Sequence, residues 1–165
     1  MIVVADTSPI NYLIQIGEIE LLSNLYERVM IPPAVLEELT HSGAPAAVRI
    51  WMVGHPAWME VRLTSGEPDS ALAFLDKGER EAIQLAEEHR ANILLVDDRR
   101  AQVEAVRRGL ETTGTLGVLI SADAQGLIRG EEAYHRLVTQ TTFRKSDRLE
   151  AIFLKRLRSV PQVGE

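Results

Sequence analysis

Acidic side chains recur in this 165-residue sequence at the places where a sheet would gather them. Asp6 follows the apolar run IVVA (2–5) directly, and Asp97 and Asp98 follow ILLV (93–96). Glu79 opens GEREAIQLAEEHRA (78–91), and Glu38 sits within AVLEEL (34–39). Carboxylates held together repel one another unless a cation joins them. The donors are hard oxygens, cysteine is absent, and the histidines at 41, 55, 89 and 135 lack ligand spacing. That set suits magnesium or manganese. Such an ion stabilises charge on a phosphodiester and lowers the pKa of a bound water, the basis of metal-assisted hydrolysis.

The segments that must position these groups alternate between strand and helix patterns. IVVA reads as a strand, followed by a helical stretch through Ile19–Leu22. RVMIPP (28–33) ends a second strand at a proline pair, where a helix can begin because its first turn needs no N–H donor. Residues 44–55 read as helix, MEVRL (59–63) as a third strand and SGEPDS (65–70) as the start of a short helix. After the strong helix at 78–91 come ILLVD (93–97) as a strand, a helix closed by Gly109, and ETTG (111–114) as a fifth strand. TLGVLISADAQG (115–126), 130–140 and 146–158 are helical.

This alternation predicts an α/β fold, a parallel sheet with helices on both faces, in a single domain spanning 1–165. IVVA and ILLV, apolar throughout, fit central strands buried on both sides. In such sheets ligands gather beyond the C-terminal strand ends, where Asp6 and Asp97 fall. As neighbours they would stand one strand spacing apart, roughly 5 Å.

Helix faces sort the glutamates. Glu79 shares its face with Ala82, Ile83 and Ala86, whereas Glu81 lies with Gln84, Leu85 and Glu88 on a more exposed one. Glu38 stands about 105° from the centre of the Val35/Leu36/Leu39 face and Glu37 about 155°, so Glu38 is nearer the interior. The bland reading makes Asp6 and Asp98 helix N-caps, Glu79 a partner of the helix dipole and Glu38 a surface residue. All four at strand ends and helix starts of one sheet favour a joint role.

Composition bounds the rest. With 45% hydrophobic and 25% charged residues the chain has the profile of a soluble globular protein. Without cysteine, disulfides and thiolate chemistry are excluded. No apolar run is long enough for a membrane span, and MIVVADTSP reads as a strand rather than a signal peptide, so a cytoplasmic location is expected. The net charge is −6, yet residues 129–158 hold eight basic and four acidic side chains, against ten and nineteen over 1–128. An acidic body suits a metal ion and a basic C-terminal part suits phosphates. Arg99 and Arg100 could reach a phosphate beside the metal, and Arg144, Lys145 and Arg148 form the densest basic cluster. Receiver-type, dinucleotide-binding, P-loop and dehalogenase-type sites each lack their required residues here.

DTSPINYL (6–13), IPPAVLEEL (31–39), GEREAIQLA (78–86) and LLVDDRRAQ (94–102) resemble, in order and spacing, the PIN-domain nuclease family and within it the VapC-like toxins. TGTLGVL (113–119) is similar to one bacterial and archaeal branch associated with nucleic-acid binding. The resemblance covers residues 1–128, leaving 129–165 as C-terminal helices. It implies a three-layer α/β/α sandwich and a magnesium- or manganese-dependent endoribonuclease acting on RNA. A cognate antitoxin protein and a homodimer are the implied partners. The family's four acids fall on Asp6, Glu38, Glu79 (where aspartate is usual) and Asp97, with Asp98 as a fifth. In this reading Asp6, Asp97 and Asp98 hold metal, while Glu38 and Glu79 complete the acidic cup and orient water. Thr7, Ser8 and Thr115 at the same edge hydrogen-bond a carboxylate or the substrate phosphate and Arg99 reaches a phosphate, with an N-cap role for Thr115 as the competing reading. The alternative function is a non-cleaving PIN-fold module that binds RNA or protein.

Overall fold

The computed structural model describes residues 1–159. The final residues, 160–165, of the expected domain span lie outside the described residues. Five short strands form one all-parallel sheet: β1 (Val3–Ala5), β2 (Val29–Ile31), β3 (Met59–Val61), β4 (Ile93–Leu95) and β5 (Thr112–Thr113). Their order is β3-β2-β1-β4-β5, so the two apolar strands singled out in the sequence are interior ones. Val4 pairs with Met30 on one side and with Leu94 on the other. Such strands must be apolar on both faces, which is why they carry no alternation.

Helices cover both faces. Val4, Leu94 and Val96 pack with Ala82, Ile83, Leu85 and Ala86 of α5 (Lys77–Glu88) and with Ala101 and Ala105 of α6 (Arg99–Arg107). Val3, Ala5 and Leu95 point the other way. They join a larger core with α1 (Thr7–Gln15), α2 (Leu21–Tyr26), α3 (Pro33–Thr40), α4 (Ala46–Val53) and α7 (Thr115–Ala124). This is the expected α/β/α sandwich. Trp51 and Trp58 pack on each other at 5.9 Å between ring centroids, as semi-buried residues of that core.

Three expectations shift. The helical stretch after Asp6 is two helices, split where Gly17 turns with φ +76°, a conformation that costs a side chain-bearing residue energy. Residues 65–69 form a loop, not a helix, because the Ser65 and Gly66 N–H groups donate to the Glu88 carboxylate at the far end of α5. A single 3₁₀ turn, Ser70–Leu72, follows. β4 stops at Leu95 rather than Asp97, since the Val96 carbonyl accepts from the Gln102 side chain and leaves the ladder.

The C-terminal helices α8 (Gly130–Gln140) and α9 (Asp147–Ser159) belong to the larger core. Phe153 is 1% exposed and lies 4.9 Å from the Tyr134 ring, and Leu157 packs against Gly130. Among the described residues no helix is long and apolar enough to cross a membrane. Phe153→Ala is expected to destabilise the fold by about 3–5 kcal/mol in chemical denaturation, the range for emptying a buried aromatic site. An effect below about 1 kcal/mol would mean that α9 is a detachable appendage.

Candidate active site at the sheet edge

The register of β1 and β4 decides where the aspartates go. Ala5 pairs with Leu95, and the Asp6 N–H donates to the Leu95 carbonyl at 2.8 Å. Val96, not Asp97, is therefore the residue opposite Asp6. Both acids stand just beyond the ends of neighbouring strands. Asp6 borders Gly78 in the first turn of α5, whereas Asp97 meets Gly114 and Thr115 at the start of α7.

Asp6 stands at the N-cap position of α1, yet its carboxylate makes no capping hydrogen bond. It is 5% exposed. Burial drives its pKa up to about 8, the neighbouring Asp76, Glu79 and Glu38 charges push the same way, and the nearby Thr7 N–H offsets part of the rise. Glu38 reaches the same spot from α3 as an exposed side chain, steadied by the Thr7 hydroxyl, which donates to it at 2.5 Å. Gly78, in the first turn of α5, makes this meeting possible. A β-carbon there would lie 2.7 Å from Glu38 Oε1 and 3.3 Å from Asp6 Oδ1, so both carboxylates border a space that only glycine leaves open.

Glu79 is 9% exposed and forms a capping box with Asp76. The Glu79 N–H donates to Asp76 at 2.8 Å, and the Asp76 N–H donates to Glu79 Oε2 at 3.1 Å. Burial first, then the Asp76 and Asp98 charges, raise its pKa to about 7. Asp97 receives the Thr115 N–H at 2.6 Å and the Thr115 hydroxyl at 2.7 Å; burial raises its pKa, and these bonds hold the rise back. Gly114 admits this contact, since a β-carbon there would stand 2.7 Å from Asp97 Oδ1. Asp98 is exposed and caps α6 through the Ala101 N–H at 3.0 Å.

Glu38, Asp6 and Glu79 are neighbours around the first turn of α5, and Glu79 and Asp97 line one cleft. Among the described residues no three His, Cys, Asp or Glu side chains stand at metal-ligand spacing. Asp98 has the capping role, with its charge felt at Glu79. Thr115 is fully buried with both donors on Asp97, so it positions that acid. Thr7 likewise orients Glu38, and Ser8 and Arg99 line the larger of two clefts that meet at this edge. That cleft, of about 1000 Å³, also contains Glu79, Asp97 and Asp98; the smaller, of about 540 Å³, contains Thr7, Glu38, His41 and Lys77.

Two acids escaped the reading of the sequence. Asp76 was signalled by D-x-x-E ahead of an apolar helix, the pattern of a capping box. Glu81 accepts the Ala34 N–H at 2.8 Å and so caps α3 from a distance of 47 residues, which no local pattern could reveal.

A parallel five-stranded α/β/α sandwich with acids along its C-terminal edge defines a class of fold, and comparison with known proteins gives it a family. A family profile described as DUF3368: PIN domain matches residues 2–159, and the chain belongs to that family. PIN domains are generally nucleases. Among solved structures, a PilT N-terminus domain protein from the hyperthermophilic archaeon Sulfolobus solfataricus matches with a TM-score of 0.51 at 19% identity. The match covers 88% of this chain and 100% of that one, and it supports the fold. No curated protein matches the sequence.

The raised acids make stability depend on pH. Asp6 and Glu79 hold protons in the folded chain that the unfolded chain releases near 3.8 and 4.5. In EDTA, stability is thus greatest below about pH 4 from these two groups and falls as pH rises toward about 8. Asp6→Asn should flatten this dependence and raise the melting temperature at pH 8. A variant that melts no higher than the parent there contradicts the burial argument.

Proposed function

We propose that this chain is a divalent-metal-dependent endoribonuclease that hydrolyses RNA phosphodiester bonds, the toxin of a toxin–antitoxin pair. The observation that carries the nuclease reading is the burial of Asp6 beside Glu38, Glu79 and Asp76 with no cationic side chain paired to it among the described residues. The resemblance to VapC-like proteins supports the toxin role.

The donor set fits magnesium or manganese. These ions take oxygen ligands, and magnesium commonly uses one or two carboxylates with water and substrate phosphate completing the shell. Asp6 and Glu38, which flank the space opposite Gly78, are the pair that would hold the ion. When bound, it would supply Lewis-acid stabilisation of the phosphate and a more acidic water. Asp6, its pKa raised by burial and further by its acidic neighbours, becomes fully anionic near neutral pH only when a positive charge stands beside it. Glu38, solvent-facing and fixed by Thr7, is placed to orient a water at the mouth of the site. Glu79, poised near neutrality, can hold or release a proton at the same edge. Asp97 is immobilised by Thr115 and presents its charge to the larger cleft, bordering the path of a phosphate.

One observation favours the alternative of a non-cleaving RNA- or protein-binding module: among the described residues no three acids stand at metal-ligand spacing. Incubation of the purified protein with RNA separates the readings. Cleavage should require magnesium or manganese, stop in EDTA and fall by about 100-fold or more in Asp6→Asn. RNA loss that persists in EDTA, or full activity in Asp6→Asn, would refute the mechanism. Growth arrest on expression, relieved by a protein encoded beside this chain, tests the toxin role.

Gly78→Ala probes the shared space separately. It should leave stability within about 1 kcal/mol, since alanine is the better helix former. The new methyl displaces the Glu38 carboxylate, so cleavage should drop about tenfold with the metal requirement unchanged. An unaltered rate would remove Glu38 from the site.

A further inference from the structure

Beyond the acids, the larger cleft has a second wall that the nuclease reading leaves unexplained. It is built by the segment between α8 and α9 and by α9 itself. Phe143, Arg144, Leu149, Ile152 and Arg156 line it, opposite Glu79, Asp97 and Asp98. Phe143 meets Tyr12 of α1 edge to face at 5.5 Å, and both rings are half-buried at the cleft surface. Leu149 and Ile152 are 48% and 45% exposed, unusual for large apolar side chains on a helix that otherwise buries Phe153 and Leu157.

Among the described residues the cations of this wall are not part of any ion pair. Among the described residues neither Arg144 nor Arg156 is bridged to a carboxylate, although α9 carries Glu150 and Asp147. Lys145, the neighbour of Arg144 in sequence, is held by Glu150 at 3.1 Å, and that carboxylate also accepts from Tyr134. Arg99, on the acidic side of the cleft, has no such partner either, and it occupies the first turn of α6, where a cation is electrostatically disfavoured. The densest basic cluster of the sequence is therefore divided: Arg144 faces the cleft, Lys145 is neutralised and Arg148 does not line the cleft.

Aromatic and apolar surface flanked by unpaired arginines, facing a metal-type acidic edge, suits a chain that offers phosphates and base faces together. A duplex hides its base faces; an unpaired strand exposes them. We infer that the α8–α9 segment is the substrate-selecting wall of the site: Phe143 stacks an unpaired RNA base while Arg144 and Arg156 grip the adjoining phosphates. The inference rests on the nuclease reading for the identity of the ligand, but it concerns binding and is tested apart from cleavage.

The test measures the affinity of a fluorescein-labelled single-stranded RNA for the full chain in EDTA, over a range of salt concentrations, with each variant's fold checked by thermal melting. Arg144→Gln combined with Arg156→Gln should weaken binding at least tenfold and reduce the slope of log K against log salt by about 1.4, two contacts at roughly 0.7 each. Phe143→Leu should weaken binding by roughly five- to tenfold and leave the salt slope unchanged, because stacking carries no counterion release. Arg148→Gln should bind within twofold of the parent. Duplex RNA of the same sequence should bind more weakly than the single strand.

Parent-like binding by the double arginine variant, or by Phe143→Leu, overturns the assignment, as does equal affinity for duplex. If those variants bind normally while magnesium-dependent cleavage is intact, the wall is wrong and the nuclease reading stands. If they bind poorly as expected but the parent never cleaves, the wall stands and the nuclease reading fails.

Discussion

Asp6 is a carboxylate that cannot retreat into water. β1 is an interior strand, its end is fastened to Leu95 by the Asp6 N–H, and the first turn of α5 closes over it. The same chain shows what it does with an acid it means to keep neutralised. Glu104, only 8% exposed, is met by Arg107 and Arg108, which bring its pKa down to about 2. At the sheet edge the neighbours of Asp6 are instead three more acids. A fold that places arginines beside Glu104 and acids beside Asp6 leaves the second charge with no partner cation among the described residues.

The architecture was legible because it is written in long-period patterns. Two wholly apolar runs identified the interior strands, and the inward face of GEREAIQLAEE identified Glu79 as the acid nearer the core. What escaped was set beyond the strand ends. β4 stops at Leu95, so Asp97 is oriented by its bonds to Thr115 and not by strand alternation. The Glu81–Ala34 and Thr115–Asp97 hydrogen bonds join positions 47 and 18 residues apart. Only the assembled layers bring those groups within reach of each other.

The acids also divide by whether their oxygens already have donors. Asp76, Glu81, Glu88 and Asp98 each accept backbone N–H groups, fixing the start of α5, the start of α3, the 65–66 loop and the start of α6. The bonds of Asp76 and Glu81 bring Gly78, Glu38 and Glu79 together, so these two acids are positioning residues. Thr7 and Thr115 do the same for Glu38 and Asp97. Among the buried acids of the described residues, Asp6 alone has neither a capping bond nor a paired cation.

That division bears on the net charge of −6, which at first argues against an anionic substrate. A carboxylate that accepts backbone N–H groups at a helix start faces partial positive charge, and its field outside the protein is correspondingly weaker. Much of the acidic excess therefore lies in caps, distributed around the first turns of α3, α5 and α6. The cations that a phosphate would meet are local: Arg99, Arg144 and Arg156 line one cleft, within which Debye screening has little distance over which to act. Attraction of a phosphate is governed by that local field. The total, measured over the whole chain, says little about it.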